Sequence, residues 1–286
     1  MKFLVVFIAL LLKRQLPLPE GNRTSRSYTA WHQLWQKWSS FARLPRLVKY
    51  TLLVVMPMLL LTYAVYSIQS VAWGLVALVI EVALLLYVLS HIGLESHYRD
   101  YRHELQQGDL DNAYQCAGRY LSCVNDVAKD DAKALNEQVV RGFLHRWFKY
   151  FFLMVFWYMV ADVAGVLLAW FTVQYANTSQ CDERAWRYLH WVEWIPVRLL
   201  GLTYGLAGHM GKALPVWQSY VWQKDAHGAD ILYNVACASL DCPETEANSD
   251  TEFALKQLDQ WTQLHLRSIS IWLVMIAVAT LGGWLL

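Results

Sequence analysis

The sequence predicts an all-α fold, a polytopic integral membrane helical bundle with cytoplasmic helical segments. Three observations predict it. The 286 residues are 56% hydrophobic and only 16% charged, where soluble domains carry about 25% charged residues. The chain holds uncharged runs long enough to cross a bilayer, Tyr50 to Ile80 and Ser268 to Leu286, given that a spanning helix needs roughly 20 apolar residues. Basic residues gather in one stretch, as the positive-inside rule requires of a cytoplasmic loop. Net charge is +1, and no basic run is interleaved with aromatics in a recognition pattern, so nucleic-acid binding is excluded.

Residues 3–12 are apolar but too short to span. Lys13 and Arg14 follow where a signal peptide would carry small cleavage-site residues, so this reads as a short uncleaved membrane segment. Between 13 and 49 stand Lys13, Arg14, Arg23, Arg26, Lys37, Arg43, Arg46 and Lys49 against the single acid Glu20. Pro17 and Pro19 mark a turn, and Trp31, Leu34, Trp35 and Trp38 at helical spacing predict an amphipathic helix on the inner leaflet. A transmembrane hairpin follows at 50–67 and 72–93, turned at Ser67–Ser70, with Glu81 deep in its second helix.

Residues 94–148 change character to a cytoplasmic helical domain. Gly108-Asp109 reads as a helix stop followed by an N-cap, and Ala113, Cys116, Ala117 and Tyr120, then Leu121 and Val124, make the next apolar face. A second helix begins near Asp130-Asp131 with Leu135, Val139 and Phe143 inward. His91, His97 and His103 step by six residues and point in different directions, which excludes a metal cluster. A span at 148–175 containing Asp162 then leads to a polar turn at 182–187, placed outside, and to a membrane-embedded helix at 190–217. Cytoplasmic helices near 219–240 and 252–266 flank an acidic loop at 241–250, and the chain closes on a transmembrane helix. The domain boundaries are therefore 1–93, 94–148, 149–217, 218–267 and 268–286, with 13–49, 94–148 and 209–267 facing the cytoplasm.

Cys116, Cys123, Cys181, Cys237 and Cys242 lack zinc or redox spacing and read as reduced structural thiols. There is no phosphate loop, nucleophile elbow or H-E-x-x-H motif. No metal or cofactor is expected. The remaining candidates for chemistry are Glu81, Asp162, Glu193, Arg198, His209 and Lys212. Arg198 and Lys212 beside a helix kinked at Pro196 suit an anionic group, and Gly201, Gly205, Gly208 and Gly211 permit close helix approach. A buried guanidinium predicts a carboxylate partner among Glu81, Asp162 and Glu193. The alternatives are structural ion pairs, or an Arg198 that anchors an interfacial helix.

The run Glu193-Trp194-Ile195-Pro196-Val197-Arg198-Leu199, continuing through Gly208-His209 and Lys212-Ala213-Leu214-Pro215-Val216-Trp217, resembles the signature of the AmpE family. These are inner-membrane proteins encoded beside a cell-wall amidase in β-lactamase induction systems. The Trp-Ile-Pro-x-Arg-Leu core also resembles the more distant adenosylcobinamide-phosphate synthases. In those enzymes an Asn-Thr-Leu-Asp-type segment precedes the motif, whereas residues 171–177 here read Phe-Thr-Val-Gln-Tyr-Ala-Asn. The AmpE resemblance implies a regulatory protein of cell-wall recycling without catalysis, with a small anionic ligand such as a cell-wall fragment, or a protein partner in the induction pathway. The synthase resemblance implies the alternative, ATP-dependent amide formation.

Overall fold

The computed structural model describes residues 2–15, 25–37, 44–68, 75–90, 94–108, 110–120, 132–179, 183–240 and 250–283. Among them every regular element is helical: α1 (Lys2–Gln15), α2 (Arg26–Gln36), α3 (Arg46–Tyr50), α4 (Met56–Ile68), α5 (Leu75–Ser90), α6 (Leu94–Gln107), α7 (Leu110–Tyr120), α8 (Ala132–Trp147), α9 (Leu153–Thr178), α10 (Glu183–Ala207), α11 (Met210–Val221), α12 (Gly228–Leu240) and α13 (Asp250–Leu281). Three helical stretches are long and apolar enough to cross a membrane: Leu47–Ile68, Asn136–Thr178 and Ala254–Leu281. Pro17, Pro19, Trp38, the turn beyond Ile68, His91, Leu121, Val124, Cys123, Cys181, Asp182, Cys242 and the acidic loop at 241–249 lie outside the described residues.

The fold comprises two compact units. The first is Met1–Ile92, Lys149–Glu193 and Ala277–Leu286. Its first crossing joins α3 to α4 through a π-helical turn, Thr51–Val55. Pro57 supplies no N–H to the carbonyl of Leu53, and the wider turn lies where that bond is missing.

The single span expected at 148–175 is folded back on itself. Ala161 and Asp162 leave helical geometry, Asp162 with φ 51°, and the chain reverses there. In a straight helix Tyr150 and Asn177 would stand about 40 Å apart; here Asn177 Nδ2 donates to Tyr150 Oη at 3.0 Å. A Cβ on Gly165 would overlap the carbonyl oxygen of Trp157, so only glycine lets the two arms pass this closely. The second arm, from Asp162 to Thr178, is on the order of 24 Å long, short of the roughly 30 Å hydrocarbon core, while the first runs on from α8 through Phe148–Phe152.

Both feet of this hairpin stand at one end of the unit. Ser25 donates its N–H to Gln174 Oε1 at 2.9 Å and shares a hydrogen bond with Tyr87 Oη at 2.7 Å. Tyr50 packs on Tyr188 and Tyr175, with ring centroids 4.3 and 5.7 Å apart. The tip lies toward the far end of α4, where Val65 meets Val163 and Leu167. Ala185 shares a core with Tyr28, Leu53 and Tyr175, with Tyr50 and Tyr188 packed against it, so the start of α10 stands at the end of this unit that carries residue 50, where the expected topology put 182–187 at the opposite end. The amphipathic α2 turns Tyr28, Trp31 and Trp35 onto the same core as Leu53, Val54 and Tyr175, so its apolar side covers protein.

The second unit is Gly93–Phe148 and Trp194–Ile276. Gly108, with φ 77°, stops α6 as its position in the sequence predicts. Ala113, Ala117, Val139 and Phe143 are buried on the expected faces. A buried chain runs from Tyr101 Oη to Asn136 Oδ1 at 3.1 Å and from Asn136 Nδ2 to Gln257 Oε1 at 2.5 Å. Arg141 pairs with Glu137 at 2.7 Å and with Asp230, and stacks over Tyr233. Burial pushes the Tyr98 hydroxyl above its ordinary range, opposed by its hydrogen bond to Thr262. The expected separate helices at 252–266 and 268–286 are one element, α13. Cys116 and Cys237 form no disulfide.

The hairpin makes a topological prediction. In a cysteine-free background, Gln36→Cys and Arg187→Cys should react with an impermeant thiol reagent from one face of the membrane and Ser67→Cys from the other. Arg187→Cys labelling together with Ser67→Cys would show that 148–178 crosses.

Candidate functional site

The stretch 190–217, expected as one helix, is a pair. α10 ends at Ala207, Gly208 and His209 break the path, and α11 returns alongside. The glycines set how closely the two pack. A Cβ on Gly201 would stand 3.2 Å from Trp217 Cδ1, and one on Gly205 would stand 3.2 Å from Ala213 Cβ. At Gly208 a Cβ would overlap the main chain of Ser239, whose carbonyl accepts the His209 N–H at 2.9 Å. Trp217 Nε1 donates to the Arg198 carbonyl at 2.8 Å, tying the pair across its middle.

Arg198 is buried, at 6% exposure. Its partners correct the carboxylate expectation, because all are main-chain carbonyls. Nε donates to Val221 at 2.9 Å, Nη1 to Trp194 at 2.9 Å, and Nη2 to Tyr220 at 3.2 Å and Gln223 at 2.6 Å. Tyr220 and Val221 end α11, where helical carbonyls have no intrahelical donor and the helix dipole is negative. The guanidinium thus caps α11, and it lies 4.3 Å over the Trp194 ring as well. Four of the five N–H donors of an arginine are engaged by these bonds.

Pro196, two residues earlier, cannot donate to the carbonyl of Val192. Trp157 Nε1 donates to it instead, at 3.2 Å. This bond, inside the first unit, was not foreseen from the sequence, since nothing in the spacing of Trp157 and Val192 shows that they meet.

The remaining candidates divide between the units. Glu81, Asp162 and Glu193 belong to the first; Arg198, His209 and Lys212 belong to the second. Glu81 accepts a hydrogen bond from Tyr158 Oη at 2.8 Å. Asp162 pairs with Lys2, Oδ1 to Nζ at 3.0 Å, and Lys2 also reaches the Met159 carbonyl at 3.4 Å. Glu193 is buried, at 5% exposure. His209 is the N-cap residue of α11, and both it and Lys212 are exposed at that end of the helix. Lys2 and Tyr158 are the partners the sequence did not single out. The first reads as a flank of an apolar segment, the second as one more membrane aromatic.

Two substitutions test this geometry. Arg198→Ala removes the guanidinium donors from the carbonyls of Tyr220, Val221 and Gln223 and should cost about 2–4 kcal/mol in unfolding free energy. Arg198→Lys should recover only part of that, because an ammonium cannot reproduce the planar fork. Gly208→Ala should cost about 1–3 kcal/mol through the clash with Ser239, while Gly211→Ala, where an added Cβ meets nothing within 4 Å, should leave the melting temperature unchanged or slightly raised.

The family model described as regulatory signalling modulator protein AmpE matches residues 23–285. The chain is 23% identical over 257 residues to the cobalamin biosynthesis protein CobD of Stutzerimonas stutzeri, covering 82% of this chain and 80% of that one. It is 27% identical over 165 residues to CobD of Chromobacterium violaceum, covering 52% and 51%. It is 23% identical over 193 residues to protein AmpE of Shigella flexneri, covering 61% and 65%. The matched region thus spans about half the length of the Chromobacterium relative and just under two thirds of the Shigella one. No solved structure matches. With a match that runs from residue 23 to the penultimate residue, through every element from α2 to α13, the chain belongs to the AmpE family.

Proposed function

We propose that this protein is a multi-pass regulatory component of a bacterial inner membrane, linked to β-lactamase induction and cell-wall recycling, that binds a small anionic ligand or a protein partner without catalysis. The observation that carries this reading is the family match over 23–285. The absence of the Asn-Thr-Leu-Asp-type run at 171–177 supports it. The positive-inside pattern of 13–49 supports the inner-membrane placement.

Two features favour the His209 end of α11 as the place for an anion. Arg198 spends its fork on α11, so its role is to hold that helix. His209 and Lys212 stand exposed at the opposite, electropositive end of α11, where an anionic group would meet a cationic side chain and the helix N-terminus. Lys212→Ala should then lower β-lactamase induction in a strain dependent on this protein while leaving its melting temperature within about 1 °C, as expected of a surface change near ±0.5 kcal/mol or less. Normal induction in that variant would remove Lys212 from the reading.

The second reading, a membrane ligase or transferase of the adenosylcobinamide-phosphate synthase type, is favoured by the similarity to CobD over 82% of the chain. Calorimetry with ATP and magnesium on the detergent-purified protein separates the two. The regulatory reading expects no turnover of ATP; binding followed by turnover would establish the ligase.

A further inference from the structure

Three side-chain donors in the first unit are buried without an acceptor. Among the described residues, Tyr28 Oη, Trp31 Nε1 and Gln174 Nε2 are shut away from solvent and meet no hydrogen-bond partner in the protein. Tyr28 is 2% exposed and Gln174 is wholly buried. The three belong to one place. Gln174 Oε1 accepts the Ser25 N–H at 2.9 Å, just ahead of α2. Tyr28 and Trp31, three residues apart, share the face of α2 that follows. The Tyr28 ring lies 6.0 Å from that of Phe171, one turn before Gln174 on α9. Tyr28 and Tyr175 share a buried core with Ala185 at the start of α10, and Trp31, Tyr50 and Tyr188 pack against it. A buried donor left bare costs more than an ordinary hydrogen bond returns, so three in one seam require an explanation.

We propose that the seam between α2, the end of α9 and the start of α10 binds the glycerol-ester region of a phospholipid, whose carbonyl oxygens accept from Tyr28, Trp31 and Gln174. The indole and amide groups offer protons and carry no charge, so they suit ester carbonyls more than a bare anion. The level is that of a bilayer interface. Tyr50 opens the uncharged run to Ile80 directly after Lys49, and its ring packs on Tyr188 and Tyr175. Tyrosine and tryptophan gather at such a boundary because their rings are apolar while their donors meet lipid oxygens. Leu34 of α2 and Leu47 of α3 are exposed and give acyl chains an apolar surface. Arg26 and Arg187, exposed and next in sequence to Ser25 and Tyr188, suit the phosphate. Ser25 is held by Gln174 and Tyr87, so α2 admits the ester by tilting about its first turn. Lipid binding here and the regulatory reading stand or fall separately.

The probes are dioleoylphosphatidylglycerol and its diether analogue, which has the same headgroup but no carbonyls, titrated into the delipidated full chain in dodecyl maltoside. At a hundredfold excess over its dissociation constant the diester should raise the melting temperature by about 5–10 °C, and the diether by no more than about half of that. Tyr28→Phe removes one hydroxyl and nothing else. Without lipid it should leave the melting temperature unchanged or raise it, since the lost group has no partner in the protein. With lipid it should shrink the diester's advantage, as should Trp31→Phe and Gln174→Glu, the latter keeping an acceptor for Ser25. Tyr63→Phe, at an exposed tyrosine of α4, should leave that advantage intact. The mild Tyr28→Phe change carries the test even if the other two variants do not assemble. Equal shifts from the two lipids in the wild type would assign these donors to water and overturn the proposal. An advantage kept in full by Tyr28→Phe, or lost equally in Tyr63→Phe, would overturn it too.

Discussion

A main-chain carbonyl that loses its helical donor inside a membrane protein has no water to turn to, and leaving it bare costs several kcal/mol. That constraint governs the irregular places in this chain. Pro196 strips the donor from Val192, and Trp157 supplies another. α11 ends at Val221, and Arg198 donates to the carbonyls of Tyr220 and Val221 and to that of Gln223 just beyond. The α9 hairpin opens at Ala161–Asp162, and Lys2 reaches the Met159 carbonyl there. In each case a long side chain from a distant part of the sequence repairs a local break.

The repairs explain why charge is tolerated. An arginine in an apolar setting is expensive when it must find a counter-ion, because two desolvated charges recover their hydration only in ideal geometry. Arg198 avoids that requirement. The carbonyls at the end of α11 already need donors and already stand at the negative pole of a helix dipole. One residue thereby stabilises its own charge and the end of a neighbouring helix, so its removal exposes a defect on both sides.

Glycine has the complementary role. Gly165 admits the carbonyl of Trp157 between the hairpin arms, and Gly208 admits the main chain of Ser239 at the turn between α10 and α11. Both positions bring backbone against backbone, where no side chain can shift to make room. Gly211 lies in the same glycine-spaced series but has open space around it. The spacing of glycines along a helix therefore does not reveal which of them is needed; the neighbour does.

By itself the sequence determined the all-helical membrane class, the long apolar helix at 50–67, the buried positions 113 and 117 of α7 and 139 and 143 of α8, and the stop at Gly108. Each of these depends on length, periodicity or local conformational preference, which act within a few turns of helix. It also singled out Glu81, Asp162 and Arg198, because ionisable residues in apolar runs are conspicuous. Only the tertiary structure decided that α9 turns back, that 190–217 is two helices, and that Arg198 serves carbonyls while Asp162 serves Lys2. An apolar run of 30 residues has the same composition whether it crosses once or folds into a hairpin. The backbone angles at Ala161 and Asp162 make the difference, and the side chains around them meet partners more than 70 positions away, Tyr158 with Glu81 and Asp162 with Lys2.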